Sequence, residues 1–295
     1  MRPTRVIVLT ALSMVAFAGN SLLCRLALKS TAIDPASFTS IRLVSGAFAL
    51  WLILWFRSRK NSSRTSSKSQ SKGRVSGNWL SASALFIYAA AFSFSYTHVS
   101  AGVGALLLFG AVQATMIGYG VAMGERLSKL QLLGLVTACA GLAFLFLPGL
   151  TAPPWQSALL MLASGVAWGV YSLRGRQAAD ATHATAGNFL RAAGLALLAS
   201  LLIPSTLYLA NSGIYYAALS GALTSGVGYA IWYSVMPRLS ATVAATVQLT
   251  VPVLAALGAM VWLSEPFTLR ILMACIAILG GVALTIMYRK RTPLG

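Results

Sequence analysis

Residues 100–126 read SAGVGALLLFGAVQATMIGYGVAMGER, and residues 240–266 read SATVAATVQLTVPVLAALGAMVWLSEP. The two stretches register at an offset of 140: Ser100 meets Ser240, Gly118 meets Gly258, Glu125 meets Glu265, and Gly141 later meets Gly281. Each runs for roughly 20 apolar residues before its glutamate, the length of helix that crosses a hydrocarbon layer. Neither alternates with period two, which excludes a β-barrel.

The repetition extends outward from there. Phe17-Ala18-Gly19-Asn20-Ser21 aligns with Trp168-Gly169-Val170-Tyr171-Ser172 at an offset of 151, and Arg25 then meets Arg176. In the next helix Arg42 meets Arg191 at an offset of 149. A basic, serine-rich loop at 58–78 lengthens the first half alone and accounts for the drop to 140. The apolar pattern predicts ten spans: Val6–Cys24, Ala36–Phe56, Trp79–Thr97, Gly102–Met123, Leu130–Leu147, Ser157–Leu173, Gly187–Leu209, Ile214–Met236, Ala241–Leu263 and Leu269–Tyr288. The predicted fold is all-α and integral to the membrane, with ten transmembrane helices as two inverted five-helix repeats. An odd number of spans per half reverses the second half. The expected domains are 1–147, a Pro-rich outer linker at 148–156, and 157–295.

Composition agrees. Of 295 residues, 58% are hydrophobic and 9% charged. A soluble domain carries about 25% charge, so lipid is the solvent for most of this surface. The net charge of +18 raises nucleic acid as a partner. With the N-terminus inside, however, seventeen Lys and Arg fall in inner segments and three in outer ones. That is the positive-inside bias of a membrane protein, so the expected partner is a lipid bilayer and not nucleic acid. N- and C-termini are both expected in the cytoplasm. Arg2 and Arg5 followed by an apolar run imitate a signal peptide, but the run continues past Ala18 into the repeated motif, so a retained first helix fits better. Cys24, Cys139 and Cys275 lie apart in apolar segments and read as small packing residues.

The candidate site is read from what the spans contain. All four acids, Asp34, Glu125, Asp180 and Glu265, sit in loops or at helix ends, and so do His98 and His183. Without a mid-membrane carboxylate or histidine, no metal site, cofactor, acid–base enzyme or deep proton relay is expected. Transport would then be downhill or by exchange. Glu125 and Glu265 read first as caps at the start of the following helix, and second as gate ion pairs. Arg42 and Arg191 stand about 9 Å into their spans, where an arginine snorkels, pairs or faces a cavity. Phe17 and Asn20 share a helix face, as do their mates Trp168 and Tyr171. Tyr88, Phe92 and Tyr96 form a stripe on the third helix, and Tyr229, Trp232 and Tyr233 a face on the eighth. Gln113 and Gln248 bury amides in the fourth and ninth. Packing accounts for any one of these. Together they describe aromatic walls with neutral polar groups, suited to a flat amphipathic solute.

The five-plus-five layout, Arg42 and Arg191, and the turns Gly124-Glu125-Arg126-Leu127 and Ser264-Glu265-Pro266-Phe267 resemble the drug/metabolite transporter superfamily in its ten-helix EamA-type branch. Phe17-Ala18-Gly19-Asn20 departs from the Trp-Gly-Ser often found in that family's first helix. More narrowly, the chain looks like bacterial inner-membrane exporters of aromatic amino acids. The resemblance implies export of amino acids; the chain itself reads as a secondary transporter, not an enzyme, working by alternating access between the repeats, with a monomer expected. Its substrate would be an amino acid or related aromatic compound. A multidrug exporter of aromatic or cationic compounds is the alternative within transport. A channel or an intramembrane enzyme is the alternative outside it.

Overall fold

A computed structural model of the chain describes residues 3–62, 76–99, 101–146, 154–176, 178, 180–202, 210–263 and 269–288. Among them ten spans follow one another. The first half holds α1 (Pro3–Ser30), α2 (Pro35–Ser62), α3 (Trp79–Tyr96), α4 (Ala101–Ala122) and α5 (Lys129–Phe146). The second opens with α6 (Trp155–Gly175) and α7 (Ala181–Leu202). Its third span is α8 (Asn211–Leu219), continued through a π-helical stretch at Ser220–Val227 into α9 (Gly228–Val235). The fourth is α10 (Ala241–Gln248) with α11 (Thr250–Leu263), and the last is α12 (Leu269–Met287). No strand occurs among the described residues.

The helices are inside out relative to a water-soluble bundle. On α1, Ile7, Val8, Leu12 and Val15 are exposed while Ser13, Asn20 and Cys24 are buried. On α7, Leu190, Leu197 and Leu201 are exposed while Thr185 and Asn188 are buried. Lipid rewards an apolar exterior, and polar side chains find partners only within the bundle.

Helices of one half pack chiefly on helices of the other: α2 on α7 and the π stretch, α3 and α4 on α6, α1 on α8, α9 and α11, and α5 on α12. The α5–α12 contact needs missing side chains, since a Cβ on Gly134 would stand 2.6 Å from the Gly281 carbonyl oxygen. A Cβ on Gly118 or Gly280 would meet open space instead.

Local sequence explains where elements start and break. The seventh span begins at Ala181, six residues before the expected Gly187, because Asp180 Oδ1 accepts the Thr182 and His183 N–H groups, each at 3.0 Å. Its expected end at Leu209 lies outside the described residues. The break between α10 and α11 at Leu249 comes one turn before Pro252, whose ring cannot tolerate the Gln248 carbonyl in a regular helix.

Candidate functional site

Rings from α1, α3, α6 and α9 meet in one cluster. Trp168 lies 4.7 Å from Tyr229, 4.9 Å from Tyr88, 5.2 Å from Phe17 and 6.0 Å from Tyr171, measured between ring centroids. Phe17 also meets Tyr229 at 5.6 Å and Trp232 at 5.8 Å, both edge-on. Phe92 joins through Tyr88 at 5.7 Å and carries the stripe on to Tyr96 at 4.6 Å. Edge-on and tilted contacts of this kind suit the ring quadrupoles and add about 0.5–1.5 kcal/mol each beyond area burial. The sequence pairing of Phe17 with Trp168 is thus also a direct contact, between first helices of opposite halves.

Polar groups in the cluster are matched to the rings. Trp168 Nε1 donates to Gln248 Oε1 at 2.6 Å, and the amide nitrogen of Gln248 donates to the Ala244 carbonyl at 3.0 Å. Gln248 is the last residue before the helix break, so the kink presents the amide that orients the indole. Asn20 donates to Tyr88 Oη at 3.4 Å and accepts from Ser220 Oγ at 2.7 Å. Gln113 donates to the Ala245 carbonyl at 2.6 Å, which ties α4 to α10, while its Oε1 is buried with no partner.

Arg42 stands inside this arrangement with 1% of its surface exposed. Snorkelling therefore does not describe it. Its Nε donates to Ser225 Oγ at 3.1 Å, and its Nη2 donates to Tyr229 Oη at 3.0 Å and Tyr88 Oη at 3.2 Å. The π stretch makes this possible. Gly221 lets the α2 backbone come against it at the Arg42 carbonyl, where any Cβ would collide. Ser220 and Ser225 are delivered from the same eight residues. A π turn inside an otherwise α-helical span recurs at functional sites. In the sequence these serines are marked only by Gly221 and Gly226, spaced within an apolar span.

The repeat mate Arg191 is placed differently. It donates to the Ser76 carbonyl at 3.0 Å and the Gly187 carbonyl at 2.9 Å, with its guanidinium 5.7 Å from the Trp79 ring centre. It ties the start of α3 to α7.

Glu125 corrects the cap expectation. The start of α5 is closed by a reciprocal pair, Ser128 N–H to Gln131 Oε1 at 3.0 Å and Gln131 N–H to Ser128 Oγ at 3.2 Å. Glu125 is left to reach the other half. It accepts from Ala241 N at 2.8 Å, Thr242 N at 3.2 Å and Thr242 Oγ1 at 2.8 Å, with Arg176 at 3.9 Å. A glycine at 124, with φ +86°, makes the turn that aims it there. The carboxylate thus sits on the positive end of α10. Its mate Glu265 lies outside the described residues.

Known proteins resemble this chain along most of its length. The model of the EamA-like transporter family matches twice, over residues 4–147 and 155–287. An uncharacterized protein of Pseudomonas aeruginosa is 52% identical over 289 residues, covering 98% of this chain and 97% of its own. An uncharacterized transporter of Bacillus subtilis is 23% identical over 260 residues, 85% of this chain and 86% of its own. A Streptantibioticus cattleyicolor protein named "probable terminal-alkyne amino-acid exporter" is 28% identical over 188 residues, 62% of this chain and 63% of its own. A solved structure shares the fold at a TM-score of 0.79 and 19% identity, over 98% of this chain and 99% of its own. With a multi-pass helical bundle and family matches in both halves, the chain belongs to the EamA-like transporter family.

Proposed function

We propose that the chain exports small amphipathic solutes, above all amino acids including aromatic ones, across the bacterial inner membrane. The observation that carries this reading is the ring cluster of Phe17, Tyr88, Trp168, Tyr229 and Trp232, drawn from both halves and fitted with neutral amide and hydroxyl partners. A solute held there touches both repeats, so rocking one half against the other moves its access from side to side. Glu125 on α10 is the closed gate of the end that carries Arg57, Arg174 and Arg238, which we take as cytoplasmic. The moving units are 1–147 and 157–295, and one chain holds a complete site. The described acids and histidines lie at span ends, so movement is exchange or downhill. The amino-acid exporter among the similar proteins supports the substrate class.

The test is counterflow in proteoliposomes preloaded with phenylalanine. Outside tracer is expected to accumulate transiently when it is phenylalanine, tyrosine or another amino acid, and to fail with sugars. No counterflow with any amino acid would overturn the substrate assignment, and flux that never saturates would overturn the carrier.

A further inference from the structure

We propose that Arg42 anchors a negatively charged group on the transported solute, so that the site takes carboxylates with an apolar or aromatic body and turns away cations. This deepens the amino-acid reading above and rests on it for the solute's body, not for its charge. The buried guanidinium makes three hydrogen bonds, all to neutral hydroxyls: Ser225, Tyr88 and Tyr229. Its Nη1 has no partner. The faces of Tyr88 and Phe92, at 5.1 and 5.5 Å, stabilise the cation only in part.

Among the described residues no carboxylate answers this charge. The chain has four acids. Asp34 accepts N–H groups of Ala36 and Ser37 at the start of α2, Asp180 those at the start of α7, and Glu125 those at the start of α10. None of these three is paired with Arg42. A buried cation without a counter-ion is costly in a low-dielectric interior, and an anion brought to it gains correspondingly. Arginine's planar fork also suits a carboxylate better than a point charge does. Tyr88 links the two parts of the site, since its hydroxyl accepts from Arg42 while its ring lies 4.9 Å from Trp168. An anionic head at Nη1 therefore leaves an apolar body one ring away from the Trp168 cluster. Because Arg42 belongs to the first half and Ser225 and Tyr229 to the second, an anion arriving there competes for a bond between the moving units.

The experiment compares three probes on the full chain in lipid nanodiscs. They are phenylalanine, 3-phenylpropionate (carboxylate, no amine) and phenethylamine (amine, no carboxylate), with sodium chloride and sodium acetate as controls. Titration of tryptophan fluorescence reads affinity, and the unfolding midpoint confirms it. The first two probes are expected to bind about 10- to 100-fold tighter than phenethylamine. Arg42→Gln is expected to erase that preference by weakening the two carboxylates, and Arg42→Lys to restore part of it. The wild-type preference needs no variant, so a misfolded Arg42→Gln does not spare the proposal. Phenethylamine binding as well as 3-phenylpropionate overturns it, as does folded Arg42→Gln that keeps the preference. Stabilisation by chloride or acetate equal to that by 3-phenylpropionate assigns the charge to simple ions and overturns it too. Arg42-dependent binding of 3-phenylpropionate without amino-acid counterflow sinks the amino-acid reading and leaves the anchor standing. Counterflow of phenylalanine that phenethylamine inhibits equally does the reverse, and binding by none of the three sinks both.

Discussion

Trp168 and Gln248 are joined by a 2.6 Å hydrogen bond within a fully packed setting, so neither can be changed without stranding the other. Trp168→Phe keeps a ring but leaves the Gln248 oxygen unmet, a loss of about 1–3 kcal/mol. Trp168→Phe combined with Gln248→Leu removes both partners and is expected to melt above the Trp168→Phe single variant. For transport per folded molecule, Trp168→Ala is expected to lower aromatic amino-acid affinity about 10- to 100-fold, while alanine or serine is affected less. Equal rates for wild type and Trp168→Ala on both solute types would move the site elsewhere. The aromatic members were legible in the sequence because repeat alignment put Phe17 opposite Trp168 and helical spacing put Tyr88 beside Phe92. The contrast between the two arginines was not. Arg42 and Arg191 hold equivalent positions in sequence but meet different neighbours across the interface, the π stretch at Gly221 for one and the Ser76 carbonyl for the other.

At the scale of elements, the ten spans were readable from apolar length alone, but their ends were not. The seventh span slipped because its first turn, Ala181-Thr182-His183-Ala184, is polar enough to pass for loop, although Asp180 marks it as a cap. The π stretch left no period to detect, since one widened turn does not disturb a run of small and apolar residues. Glu125 was misread for a different reason: a cap supplied by a residue 116 positions away is invisible in local sequence. Its clasp makes a prediction. Ala244 is fully buried on α10, one turn in from the residues Glu125 holds. In a background with the three native cysteines replaced, Ala244→Cys is expected to react slowly with a polar thiol reagent applied at the clasp end. Adding Glu125→Ala is expected to raise that rate several-fold. An unchanged rate would show the clasp to be a static cap and no gate.

The whole molecule is interleaved, since most helices of one half rest on helices of the other. Its orientation is checked by Ser58→Cys and Asn211→Cys, both exposed and at opposite ends of the bundle. The first is expected to label only from the cytoplasmic side and the second only from outside, and labelling of both from one side would refute the inverted arrangement. The hydroxyls that hold Arg42 carry a consequence for biosynthesis. Two of the three, Ser225 and Tyr229, are translated more than 180 residues after it. While the ribosome is still making the second half, α2 already lies in the bilayer with its guanidinium short of those partners. The nascent first half is therefore expected to hold that charge with Tyr88 as its one hydroxyl partner until the second half supplies the other two.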